Sequence, residues 1–208
     1  MKIKSFVISL FLILTAPLAA ESIAVCIPAF EASESSIQAL IESGRRHFCR
    51  LHQVDYFVLS DFPLEMEGDD IEWLASGGGK SFKLFQALQT HKKIFDLYSY
   101  LFIINPKMVF VAPVGNEVFG ELIGVQKVNA APQKPLFSAG FYGGRPSAVF
   151  ELLRSGCRYV DSEQKINEEE LINRCFKEKS PTRILSPSYA YPENWELEYS
   201  KKIVETRS

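Results

Sequence analysis

Two short stretches hold the polar residues best placed for chemistry. In LFIINPKMVF, residues 101–110, an apolar run breaks at Asn105-Pro106-Lys107 and then resumes. A buried strand that exposes polar residues at its carboxyl end presents them to a ligand in open α/β sheets. A lysine there can neutralise part of the charge on a departing diphosphate. The same residues also read as a plain Asn-Pro turn with Lys107 in solvent. In NEEELI, residues 167–172, Asn167 can cap a helix whose first turn carries Glu168, Glu169 and Glu170, an order that the helix dipole favours. One of these glutamates, turned into a pocket, could instead act as nucleophile or base at a glycosidic centre.

Other motifs offer less. GGGKS, Gly77–Ser81, has the glycines and lysine of a phosphate-binding loop, but Leu74 stands where the full pattern needs its first glycine. What remains is a loop leading into a helix, with Lys80 or Lys83 within reach of a diphosphate. The histidines, His47, His52 and His91, show no metal-ligand spacing, and neither a metal site nor a histidine-based triad gains support from them.

The scaffold for these residues comes from alternating strands and helices. SIAVCIPAF reads as a strand and SSIQALIESGRRHFCRLH as an amphipathic helix starting near Ser35 or Ser36. VDYFVLSDFP and IEWLA are further strands, GGGKSFKLFQALQTHKKIFDL is a loop and helix, and YSYLFIINPK is another strand. Val125–Pro135, with its Gly and Pro neighbours, reads as a loop. The order βαβ, β, α, β predicts an α/β fold with a mostly parallel sheet flanked by helices. Ligands then belong near Ala29 and Phe30, near Asp61 and near Asn105–Lys107, at the strands' carboxyl ends.

A chain of 208 residues, 47% hydrophobic, can bury one sizeable core and fits a single domain over residues 21–208. With 23 Lys+Arg against 25 Asp+Glu there is no basic field to recruit nucleic acid. Lys2 and Lys4 precede the apolar run Phe6–Leu14 and the small residues of TAPLAAES, which predicts a secretory signal peptide over residues 1–20 and a mature protein exported to the periplasm or beyond. An uncleaved segment would instead associate the chain with a membrane. Cys26, Cys49, Cys157 and Cys175 lie in the mature part without a CxxC pair; Cys26 reads as a buried thiol, and Cys157 with Cys175 is the first pairing to test.

RRHFCRLHQVDYFVLSDFP, YLFIINPKMVFVAPVG, FSAGFYGGRPSAVFELLRSG and NEEELINRCFKEKSPTRILSPSY resemble, in order, successive blocks of glycosyltransferase family 6, which contains the histo-blood-group A and B transferases and bacterial relatives. They cover most of residues 45–189, and GFYGG and KSPTRILSPSY are the most specific. The resemblance implies a GT-A fold and retaining transfer of galactose or N-acetylgalactosamine from a UDP-sugar to a glycan or glycolipid acceptor in α-1,3 linkage. It implies Glu169 as the catalytic carboxylate. Asn167 and Glu168 stand where the family has His and Asp, with Ile166 replacing a Trp, so acceptor contacts are altered.

On the donor side the resemblance implies Ile27, Ala29, Phe30, Asp61, Asn105, Lys107, Ser138, Ala139 and Gly140. Phe30 packs on uracil in that picture, against its plain reading as a core phenylalanine. Ser138–Gly140 fall where the family distinguishes galactose from its N-acetylated form. Asn105-Pro106-Lys107 replaces the family's Asp-x-Asp motif; bacterial members often carry Asn-x-Asn there, and the expectation for this divergent, bacterial-type chain is no metal and no other cofactor. A basic tail closes over the donor in the family, and Lys201 and Lys202 take that place here. Loss of the metal motif, the His-Asp pair and part of the acceptor region between Asn105 and Gly140 equally fits a carbohydrate-binding relative that does no catalysis.

Overall fold

The apolar run that opens the predicted domain is the strand β1 (Ser22–Pro28), and Ile23 through Ile27 within it are fully buried. A strand apolar on both faces must be covered on both, and β1 lies inside a seven-stranded sheet. The computed structural model describes residues 20–30, 32–76, 83–127, 136–162, 167–192 and 204–206. The predicted signal segment, GGGKS and Lys201–Lys202 lie outside these residues, apart from Ala20.

β1 pairs in parallel with β2 (Gln53–Ser60) and β4 (Tyr100–Ile104), and β2 pairs in parallel with β3 (Ile71–Ala75) at one edge. Beyond β4 come β7 (Phe137–Gly144), β6 (Leu122–Gln126) and β8 (Arg183–Leu185). β7 runs antiparallel to both its neighbours, while β6 and β8 are parallel. The mostly parallel sheet expected from sequence is therefore present, with one strand reversed. β5 (Met108–Phe110) leaves this sheet to pair with β10 (Val204–Thr206), itself beside β9 (Tyr191–Pro192).

Alternation along the strands sorts the core into two layers. Ile23, Val25, Ile27, Val58, Phe102 and Phe141 face α1 (Glu34–His47) and its Ile37, Leu40 and Ile41. Ala24, Cys26, Phe57, Leu101, Ile103 and Tyr142 face the other way, onto α2 (Lys83–Thr90), the short α3 (Lys92–Phe95), α4 (Pro146–Ser162) and α5 (Glu168–Glu178). Helices thus flank the sheet on both sides. Among the described residues no helix is long and apolar enough to cross a membrane.

Three local readings shift. The helix α1 starts one residue before Ser35, at Glu34, and Ser33 caps it by accepting from the Ser36 N–H. The helix stops at His47 instead of running to His52, because Phe48 turns extended, bridges to Val114 and inserts its ring among Phe102, Phe110 and Phe141 at 4.9–6.2 Å. Burying an aromatic side chain outweighs one more helical turn. Val125 and Gln126, expected in a loop, end β6, and Val125 is fully buried. Cys26 is the buried thiol expected, its ionisation pushed up by burial. Cys175 is also buried, Cys157 donates to the Leu153 carbonyl on its own helix, and the two are not bridged.

GFYGG has a mechanical explanation. A side-chain carbon at Gly143 would lie 2.6 Å from the Leu101 carbonyl oxygen and collide with the Phe102 ring, so β4 and β7 could not keep their register. Gly144 has φ near +144°, a backbone state that L residues rarely adopt, and turns the chain into α4. Gly144→Ala should lower unfolding free energy by about 1–3 kcal/mol or prevent folding, measured by chemical denaturation.

The connection from β2 to β3 is pinned by Arg45, whose Nε donates to Asp70 Oδ2 at 2.8 Å while its other arm meets Asp70 Oδ1. The guanidinium holds the Asp70 carboxyl below the usual carboxylate range. A depressed carboxyl stabilises the fold above the unfolded value near ~3.9, and that contribution is lost as pH falls through the folded value. Because both partners are partly exposed, the effect is small, under about 1 kcal/mol. Asp70→Asn should lower the melting temperature slightly at pH 7 and match the parent once the pH is below the folded value.

Candidate functional site

One edge of the sheet collects the polar residues, and strand direction explains why. β1, β2 and β4 are parallel, and β6, antiparallel to the reversed β7, points the same way. Their carboxyl ends deliver Ala29 and Phe30, Asp61, Asn105–Lys107 and Lys127 to one side. β7 starts on that side, with Phe137 through Gly140.

Ala29 is buried, its N–H donated to the Leu59 carbonyl at 2.8 Å, and so β1 and β2 stay joined to their ends. Phe30 is half-buried and packs against the core layer under α2, α4 and α5. Ile27 is fully buried in the opposite layer, so only its backbone is near the edge. Asp61 is exposed and accepts from the Ser76 hydroxyl.

The Asn-Pro pair is a turn, as its plain reading holds. Asn105 Oδ1 accepts from the Lys107 backbone N–H at 2.9 Å and its carbonyl accepts from Met108 N at 3.0 Å. Pro106 is buried and Lys107 is exposed. The Asn105 N–H donates to the Gly140 carbonyl at 2.8 Å, which ties the tripeptide to β7. Ser138, Ala139 and Gly140 are half-buried; Ser138 Oγ accepts from Gly140 N at 3.1 Å. A side-chain carbon at Gly140 would approach the Met108 sulfur to 3.1 Å.

Asn167 does cap α5, accepting from Glu170 N at 2.8 Å, with the three glutamates in the first turn as the sequence suggests. Glu168 is exposed. Glu169 is half-exposed and forms an ion pair with Lys127 at 2.6 Å. Glu170 pairs with Arg174, which in turn lies over the Tyr159 ring. Between α5 and the end of β6 opens a cavity of about 290 Å³, lined by Lys127, Leu136, Asn167, Glu169, Glu170, Asn173, Arg174 and Lys177.

Asn173 fixes the distance between the two halves of the site. Its Oδ1 accepts from Phe137 N at 2.7 Å, and its Nδ2 donates to the Phe137 carbonyl at 2.9 Å and to the Glu169 carbonyl at 2.8 Å. The amide thus pairs with β7 as a neighbouring strand would, and carries Glu169 to the start of the strand that bears Ser138–Gly140. Phe137 and Gly140 are separated by roughly 10 Å along the strand at ~3.3 Å per residue. Asn167, Glu168 and Glu169 therefore form one group, and Asn105, Lys107 and Ser138–Gly140 a second, joined through β7.

Lys127 and Asn173 were not singled out from sequence. Lys127 follows the apolar run LIGVQ as Lys107 follows YLFII, a signal hidden by reading the region as a loop. The pairing of β6 with β7 shifts register between Gly124 and Gln126, and such irregularities re-aim the residues beside them. Among the described residues no group of three or more His, Cys, Asp or Glu could hold a metal ion.

No protein-family model matches this chain. It is similar to globoside alpha-1,3-N-acetylgalactosaminyltransferase 1 of Homo sapiens, at 23% identity over 210 residues, 81% of this chain and 60% of the relative. The Mus musculus protein of the same name is 24% identical with the same coverage, and that of Canis lupus familiaris 22%. The chain thus spans 60% of the length of the curated relatives it matches. These relatives are mammalian and add nothing to the bacterial-type affiliation.

Replacing Asn173 by Leu should cost about 1–3 kcal/mol, because it strands the Phe137 N–H in a buried position. Chemical denaturation measures the loss, and hydrogen exchange should show the start of β7 opening first.

Proposed function

We propose that this chain is a glycosyltransferase of the GT-A kind that moves galactose or N-acetylgalactosamine from a UDP-sugar to a glycan acceptor, in α-1,3 linkage with retention. The observation that carries this reading is the single sheet edge on which Asn173 and β7 join Glu169 to Ser138–Gly140 and Asn105–Lys107. The distant similarity to α-1,3-N-acetylgalactosaminyltransferases supports the reaction class and the linkage.

Donor binding uses the ends of β1 and β2, with Phe30 against the base and Asp61 beside it. Positive charge gathers at the anomeric carbon as the sugar leaves UDP, and Glu169 stabilises it or attacks it. Negative charge grows on the departing diphosphate, where Lys107 is the available cation. A divalent ion does not fit this tripeptide well: the turn offers no carboxylate, the Asn105 side-chain oxygen already accepts a backbone N–H, and a fixed cation stands two residues on. We therefore read the reaction as metal-independent and this chain as kin to family members that lack Asp-x-Asp. The basic and then apolar residues of the first twenty support export after cleavage of that segment, with membrane attachment through an uncleaved segment as the alternative.

A second reading has specific support. Glu169 is tied to Lys127, the Asn105 side chain is spent on a turn, and Asn167 and Glu168 replace the family's His and Asp. A fold that keeps its sugar-contacting strand while its catalytic groups are engaged elsewhere serves carbohydrate binding without transfer.

Turnover separates the two. With purified mature protein and UDP-N-acetylgalactosamine or UDP-galactose, UDP release should persist in EDTA. Glu169→Gln should lower it at least about 100-fold with little change in UDP affinity by calorimetry. Lys107→Ala should lower it about 10-fold or more, because its charge matters most in the transition state. Parent-like rates in both variants overturn the proposed site; glycan binding without UDP binding or release selects the second reading.

A further inference from the structure

The cavity beside Glu169 has a charge arrangement that neutral glycans do not require. Lys127, Arg174 and Lys177 line it on the cationic side, and Glu169 and Glu170 on the anionic side. Two ion pairs, Lys127 with Glu169 and Glu170 with Arg174, cancel four of these charges. Lys177 forms no ion pair with a described residue, and among the described lining residues cations outnumber anions by one. Asn167, at the opposite end of the lining, is exposed and supplies a further polar group.

The size is also informative. A cavity of about 290 Å³ lies at the lower end of small-ligand pockets, room for one sugar ring rather than an extended chain. The Lys127–Glu169 pair that closes one side has both side chains nearly half exposed, at 48% and 44%, and pairs so exposed are held weakly. An anion entering the cavity competes with Glu169 for Lys127.

Resting on the transferase reading for its place beside the transfer centre, we propose that this cavity binds an acidic sugar residue of the acceptor, one bearing a carboxylate or a phosphate. Its anion is held by Lys177 and draws Lys127 away from Glu169. The resting ion pair then acts as a weak latch, because the acidic sugar shifts Lys127 off Glu169 and leaves the carboxylate free for longer. The latch would limit wasteful donor hydrolysis, and an acidic ligand would be recognised through charge as well as shape.

Calorimetry on the mature protein tests this with methyl β-D-glucuronoside, methyl β-D-glucoside, glucose 6-phosphate and inorganic phosphate. At least one acidic sugar should bind about 10-fold or more tightly than the neutral glucoside and than phosphate, and should weaken as salt rises. The tighter of the two acidic sugars identifies whether carboxylate or phosphate is the natural group. Lys177→Gln should remove the preference while circular dichroism and melting temperature stay at parent values, and Lys177→Arg should retain it. Equal binding of neutral and acidic sugars, equal binding of inorganic phosphate, or an unchanged preference in Lys177→Gln overturns the proposal. UDP release is recorded separately: its absence in the parent under every condition refutes the transferase reading, while the binding preference still decides the cavity.

Discussion

The pairing of the Asn173 amide with the Phe137 backbone is the constraint through which the site is held together. It uses one side chain to extend a strand ladder sideways onto a helix, satisfying both polar groups of a buried residue at once. Because β7 is also locked to β4 by close contact at Gly143, a displacement of α5 would have to drag the reversed strand with it. Helix α5 and strand β7 are consequently held as one unit, and the proposed transfer would need that fixed relation between carboxylate and leaving group.

Charge at this edge is distributed in pairs rather than pooled. Glu169 has Lys127, Glu170 has Arg174, and Asp70, farther along the sheet, has Arg45. Among the described residues Lys107 and Lys177 have no ion-pair partner, and they stand at opposite groups of the site. A cation without a fixed partner on a mostly neutral surface is where an anionic ligand first gains.

Much of the fold could be read from the chain because its central strands, SIAVCIP and YLFII, are continuous apolar runs. SIAVCIP, YLFII and IEWLA fall where expected, and their order with α1 and α2 gives the parallel half of the sheet. The end of α1 could not be read, since Phe48 leaves the helix to meet Phe110 and Phe141, residues distant in sequence. Asn105 and the glutamates of α5 stood out by type and setting, and Asn167 is the cap that its position suggests. Lys127 and Asn173 did not stand out, because a lysine after a strand and an asparagine within a helix gain meaning only from partners brought near by folding. GFYGG was the most recognisable motif, and its last two glycines are explained by backbone clearance and conformation rather than by chemistry.

β5 follows the Asn105–Lys107 turn directly and finds its partner in β10, with Phe110 opposite Val204 and Met108 opposite Thr206. During synthesis this segment emerges long before the strand that completes it; Met108 and Phe110 already donate to Asn105 and Ser43, while the remaining β5 groups wait for β10 as the seven-stranded sheet assembles. Closing so long a loop is entropically slow and depends on the surrounding core being in place. β5 is therefore among the last strands of the molecule to be fully paired, and a nascent chain released before residues 204–206 would carry the seven-stranded sheet with β5 still lacking its partner.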